Sequence, residues 1–120
     1  MRRLIISLGN ALRGLKHVIQ HEKNFQIELI IAVVILFLIF YFKVKSWEAI
    51  VLVLMIMWVL ITELTNTVLE RVVDILKPRI HPYARLIKDI MATVVLISSS
   101  VAVAVGIIIF FPYFRDLLGI

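Results

Sequence analysis

Residues 90–114 read IMATVVLISSSVAVAVGIIIFFPYF, a stretch without one charged side chain. A helix rises about 1.5 Å per residue and the hydrocarbon core of a bilayer is about 30 Å thick, so this run is long enough to span with some tilt. Ser98, Ser99, Ser100, Ala102, Ala104 and Gly106 leave little side-chain bulk on it, which suits close packing against other helices in lipid. A membrane-crossing helix is expected over residues 88–112.

Residues 47–62 form a second apolar run, and no Pro or Gly interrupts the helix before Pro78. A span is expected over 47–69, with the helix continuing in more polar form to about Ile75. Lys77, Pro78, Arg79, His81 and Pro82 then read as a loop, because neither proline fits comfortably inside a helix. A third apolar run, residues 27–42, is broken only by Glu28 and stops at Lys43, Val44, Lys45 and Ser46. It must begin near Asn24 to cross, which places Glu28 close to one interface. Tyr41, Trp47 and Tyr113 fall near the ends of these runs as interfacial anchors, and Lys43 and Lys45 read as snorkelling cations.

Between Arg2 and His21 the apolar residues Leu4, Ile5, Leu8, Leu12, Leu15, Val18 and Ile19 recur every three or four positions, with Arg13, Lys16 and Gln20 on the other side. That pattern fits a helix lying in the membrane interface. Arg2 and Arg3 do not open a signal peptide, since Gly9, Asn10, Arg13, Gly14 and Lys16 break up any continuous apolar segment. The expected fold is thus an all-α membrane protein: a surface helix at about 2–21, then three transmembrane helices at about 24–42, 47–69 and 88–112, in one domain covering 1–120.

Composition agrees. Of the 120 residues 62% are hydrophobic, more than a soluble chain this short can bury. There is no cysteine, which excludes disulfides, thiolate metal sites and cysteine nucleophiles. The net charge of +5 reflects topology and anionic lipid rather than nucleic acid, for which no basic-aromatic platform or groove-reading helix is present. Of the 13 Lys and Arg, Arg2, Arg3, Arg13, Lys16, Lys23, Arg71, Lys77, Arg79, Arg85 and Lys88 fall on one side of the expected spans, and only Lys43, Lys45 and Arg115 on the other. The positive-inside rule then places the N-terminus in the cytoplasm and the C-terminus outside.

Glu63, Asn66, Glu70 and Asp74 are spaced by three, four and four residues, which aligns them on one helix face. An ionised carboxylate inside a bilayer costs about 2.5–3.5 kcal/mol on insertion scales, so such a stripe calls for protein, water or a cation beside it. The topology brings Glu22, Glu28, Lys88 and Asp89 to the same membrane face. Carboxylates without thiols or paired histidines prefer a hard cation such as magnesium, which commonly travels with phosphates, and a lysine nearby suits a nucleotide's phosphate charge. Other readings stand beside this one. Glu70 with Arg71, or Asp74 with Lys77, would make solvated ion pairs; Glu63 would serve equally as the coupling carboxylate of a small proton-driven transporter; a purely structural bundle leaves the stripe without a reason. His17, His21 and His81 have no ligand spacing, and no GxxxxGK[ST] phosphate loop or glycine-rich kinase loop exists.

Glu22-Lys23-Asn24-Phe25, Glu63-Leu64-Thr65-Asn66-Thr67-Val68-Leu69-Glu70, Val72-Val73-Asp74, and Lys88-Asp89 with Ala92 together resemble the prokaryotic diacylglycerol kinase and undecaprenol kinase family, in the same order along nearly the whole chain. The resemblance implies a magnesium- and ATP-dependent lipid kinase of the bacterial cytoplasmic membrane, a homotrimer with active sites between neighbouring subunits. It implies Glu63 as the general base toward the lipid hydroxyl and Glu22 and Glu70 as metal and nucleotide ligands. Asn66, Lys88, Asp89, Arg3 and Asn10 match nucleotide-contacting positions; Glu28 and Ala92, with Glu63, fall on the lipid side. Ile90, Met91 and Thr93 depart from the small residues the family favours around Ala92. Asn24-Phe25, His81-Pro82 and Phe110-Phe111-Pro112 look more like the branch associated with undecaprenol than with diacylglycerol.

Overall fold

A computed structural model describes residues 1–120 and contains helices only: α1 (Arg2–His21), α2 (Lys23–Phe42) and α3 (Ser46–Leu118). Glu22 alone separates α1 from α2, with extended backbone (φ −107°, ψ 105°). The elbow satisfies the orphan carbonyls that any helix end leaves: the Glu22 N–H donates to the Val18 carbonyl, and the Gln26 amide reaches back to that of Ile19 at 2.6 Å. At the other end of α2, Lys43 takes the left-handed conformation (φ 49°, ψ 51°) usually left to glycine, and its N–H and that of Val44 both close on the Ile39 carbonyl. Lys45 then opens α3, its N–H capped by Glu48 Oε1 at 3.1 Å.

A straight helix of 73 residues would be about 110 Å long, yet the longest dimension of the molecule is 59 Å. The helix doubles back on itself. Glu48 meets Tyr113, Trp58 donates to Ser98 Oγ at 3.0 Å, and Lys88 meets Asp74, so residues 46–79 and 81–118 run antiparallel as two arms. The turn differs from the loop expected over Lys77–Pro82: only Ile80 leaves helical geometry (φ −113°, ψ 20°). Proline lacks an N–H and its ring crowds the carbonyl four residues earlier, so Pro82 perturbs the turn beginning at Pro78 and one residue absorbs the strain while its neighbours stay helical. Pro112 also lies within α3, which runs on to a Gly119 cap.

Where the arms meet α2, away from Ile80, Ile39, Leu52, Ile109 and Phe110 form the main buried cluster. Phe42 packs against Phe110, Tyr113 and Phe114 with ring centroids 6.2, 5.6 and 4.9 Å apart. Elsewhere the molecule is apolar on its outside. Only 12 of 120 residues are buried, and the most apolar windows of α2 and α3 are 11% and 17% buried. A soluble protein's core helix with those sequences would be mostly covered. α1 buries nothing and exposes Leu4, Ile5, Leu8, Leu12, Leu15 and Ile19.

Candidate functional site

Four carboxylates gather where the α1–α2 elbow meets the first arm of α3. Glu63 is 4% exposed, one helical turn or more from the polar end of that arm, and no side chain hydrogen-bonds its carboxylate. Glu22, Glu28 and Glu70 all lie close enough to exchange charge repulsion with it. The local sequence explains why helix forms here despite three threonines: the Thr62, Thr65 and Thr67 hydroxyls donate to the carbonyls of Val59, Ile61 and Glu63, folding their polar groups back on the helix. Asn66 and Glu70, four residues apart on the same face, are joined Nδ2 to Oε1 at 3.3 Å.

The two ion pairs at this end are not those available from sequence neighbours. Arg71 turns away from Glu70 and donates from Nη2 to Glu22 Oε1 at 3.1 Å, because adjacent helical side chains diverge by about 100°. Asp74 pairs with Lys88 at 2.6 Å rather than with Lys77, since the fold-back at Ile80 lays the second arm beside the first. That hydrogen bond, with the charges of Lys88, Lys77 and Arg71, holds the Asp74 carboxyl below the usual carboxylate range against opposing desolvation. Asp89 is exposed next to Lys88, and Ala92 is exposed one turn beyond. Arg3 and Asn10 stand exposed on α1 with no polar partner, so the structure does not bring them into the cluster.

A groove of about 720 Å³ runs between α2 and both arms of α3. Asn24 and Glu28 stand at its site end, Phe111 and Phe114 at the other, and 16 of its 20 lining residues are hydrophobic. Ser99 and Gly106 leave the second arm's wall shallow. Glu28 Oε2 is buried here without a hydrogen-bond partner, a state that costs about 1–3 kcal/mol unless something donates to it. Neither the groove nor this unpartnered oxygen was visible in the sequence, because each depends on how three helical segments pack.

No three His, Cys, Asp or Glu side chains converge as a ready-made metal cage. Magnesium does not require one: it is usually held by one or two carboxylates together with substrate phosphates and water. Glu22 and Glu70, oxygen donors beside the buried Glu63, fit that mode of binding.

The sequence profile of the prokaryotic diacylglycerol kinases matches residues 9–110. The chain belongs to that family. Undecaprenol kinase of Bacillus subtilis is 30% identical over 93% of this chain and 91% of its own length. Diacylglycerol kinase of Synechocystis is 30% identical over 96% of this chain and 66% of its own. The protein is therefore a membrane lipid kinase, and the transporter reading of Glu63 falls away.

Proposed function

We propose that this lipid kinase transfers the γ-phosphate of ATP to undecaprenol at the cytoplasmic face of the bacterial cell membrane. The observation that carries the reading is the carboxylate cluster placed at the head of an apolar groove, with Glu28 Oε2 lacking a partner between the two. Preference for undecaprenol over diacylglycerol rests on the name and full-length match of the Bacillus relative, and on a groove open along its side to a long chain.

In this reading α2 and the two arms of α3 make three crossings, α1 lies in the interface on its apolar face, and the excess of Lys and Arg keeps the N-terminus and the site cytoplasmic. Three subunits assemble, covering part of the exposed apolar surface. The lipid enters sideways, its chain in the groove, with Glu28 and Ala92 on the lipid side. Glu28 Oε2 accepts a hydrogen bond from the lipid hydroxyl as it enters, before the hydroxyl turns its proton to Glu63. Glu63 takes that hydroxyl's proton as the oxygen attacks the γ-phosphorus and ADP leaves. Because Glu63 is buried beside other acids, neither water nor a neighbouring cation competes for its carboxylate. Glu70, about 10 Å further along the axis, and Glu22 would hold Mg²⁺, which neutralises phosphate charge when bound. Asn66 orients Glu70; Lys88 and Asp89 contact the nucleotide, and Arg3 and Asn10, which lie outside the cluster of their own subunit, reach it from a neighbouring subunit. Phosphoryl transfer needs mainly this kind of positioning and charge neutralisation.

The test is purified protein with labelled ATP and magnesium, offered undecaprenol and diacylglycerol separately. Label in undecaprenyl phosphate is the expected result. Label in neither lipid defeats the proposal, and label in diacylglycerol alone transfers it to the other substrate.

A further inference from the structure

Arg71 stands outside the roles assigned so far, yet its guanidinium is the only cation bonded to the carboxylates around Glu63. It reaches from α3 to the α1–α2 elbow, where Glu22 Oε1 accepts from it at 3.1 Å. No other side-chain hydrogen bond links that elbow to α3. The pair is too exposed to be a structural fastener: Arg71 is 62% and Glu22 24% accessible, and ion pairs of this kind contribute little to stability. What it does supply is charge. Glu22 and Glu70 each repel Glu63, and Arg71 places a permanent positive charge on Glu22.

Resting on the kinase reading above, we infer that Arg71 is a nucleotide-binding residue held in reserve: it occupies Glu22 while the site is empty, and is displaced onto the polyphosphate when a divalent ion claims that carboxylate. The guanidinium suits both positions, because its planar fork matches a carboxylate and a phosphate equally well and its charge does not depend on pH. Its stem is anchored next to Glu70, so a short swing moves the charge from one metal ligand toward the phosphates beside the other. A weak, exposed pair is what such an exchange requires; a buried one would resist the incoming ion.

The experiment measures two affinities on the full chain in lipid nanodiscs, for wild type, Arg71→Gln and Arg71→Lys. One is for a non-hydrolysable ATP analogue with magnesium, by calorimetry; the other is for manganese alone, by electron paramagnetic resonance. Arg71→Gln should weaken the analogue by about tenfold, as loss of one charge-assisted contact does. The same variant should bind manganese alone several-fold more tightly, since the competing cation has gone. Arg71→Lys, which keeps the charge and loses the fork, should fall between. Unchanged analogue affinity in Arg71→Gln overturns the inference, and so does weaker manganese binding. A misfolded variant would lose both ligands rather than shift them in opposite directions. If the wild type itself binds no magnesium and analogue, the kinase reading of the site fails first, and the two failures are told apart.

Discussion

The two ends of the helical bundle are built on opposite principles. At one end Phe42, Phe110, Tyr113 and Phe114 pack in and around a buried apolar cluster, and the part-buried Glu48 accepts from both the Lys45 N–H and the Tyr113 hydroxyl. At the other end three acids lie within charge range of Glu63. Glu63 is buried among like charges, Glu28 keeps an oxygen without a donor, and the ion pairs that exist are solvent-exposed. Glu48 and Glu63 share a helix about 22 Å apart along its axis. The fold is thus fastened at one end, and unrelieved like charge is kept at the other, where the proposed reactive groups lie. Local strain of this sort persists only if the rest of the structure over-determines it.

The sharpest way to break that contrast is Glu63→Gln. An amide cannot accept the hydroxyl proton, so turnover should fall by about 10²- to 10⁴-fold, the range a general base contributes. Stability in detergent, followed by thermal unfolding, should hold or rise, because the change removes repulsion from Glu22, Glu28 and Glu70. If unfolding instead moves to lower temperature, Glu63 is a structural residue and the contrast between the ends disappears.

Ile109→Ala is the opposite probe. Ile109 is 6% exposed in the buried cluster and does not line the groove. Its truncation should lower stability by about 2 kcal/mol, the low end for such cavities, because lipid already solvates apolar surface and the loss is mainly one of packing. Turnover per folded molecule should stay near wild type. Lost activity without lost stability would show that this end communicates with the site.

Sequence reading reached the all-helical, lipid-solvated architecture because the pattern that encodes it is local: uncharged runs and a three-to-four periodicity. It reached the stripe Glu63, Asn66, Glu70 for the same reason, since those residues share one helix and their spacing fixes their direction. It failed where geometry depends on distant residues. Two prolines four positions apart read as a loop, but whether they end a helix or bend it is settled by the packing of the arms, and Ile80 alone gives way. Arg71 and Asp74 looked like partners for their neighbours; the elbow at Glu22 and the fold-back at Ile80 assign them Glu22 and Lys88 instead. The groove that gives Glu28 its meaning exists only between elements.

Tyr113 offers the smallest and most specific test of the well-fastened end. Its hydrogen bond to Glu48, with desolvation and the Glu48 charge, holds the phenol above its ordinary value, about 10 for a free tyrosine. A group whose folded value is raised contributes stability that is fully present below the unfolded value and lost as pH climbs through the folded one. Wild type should therefore melt above Tyr113→Phe at neutral pH, by less than the Ile109→Ala effect, and that margin should shrink as pH rises past about 10. Turnover at neutral pH should be the same in both, since the bond lies at the end away from Glu63. A margin independent of pH would mean that the phenol contributes only packing. In that case Glu48 is held by its cap on Lys45 alone, and the fastening of the two arms rests on the aromatic stack.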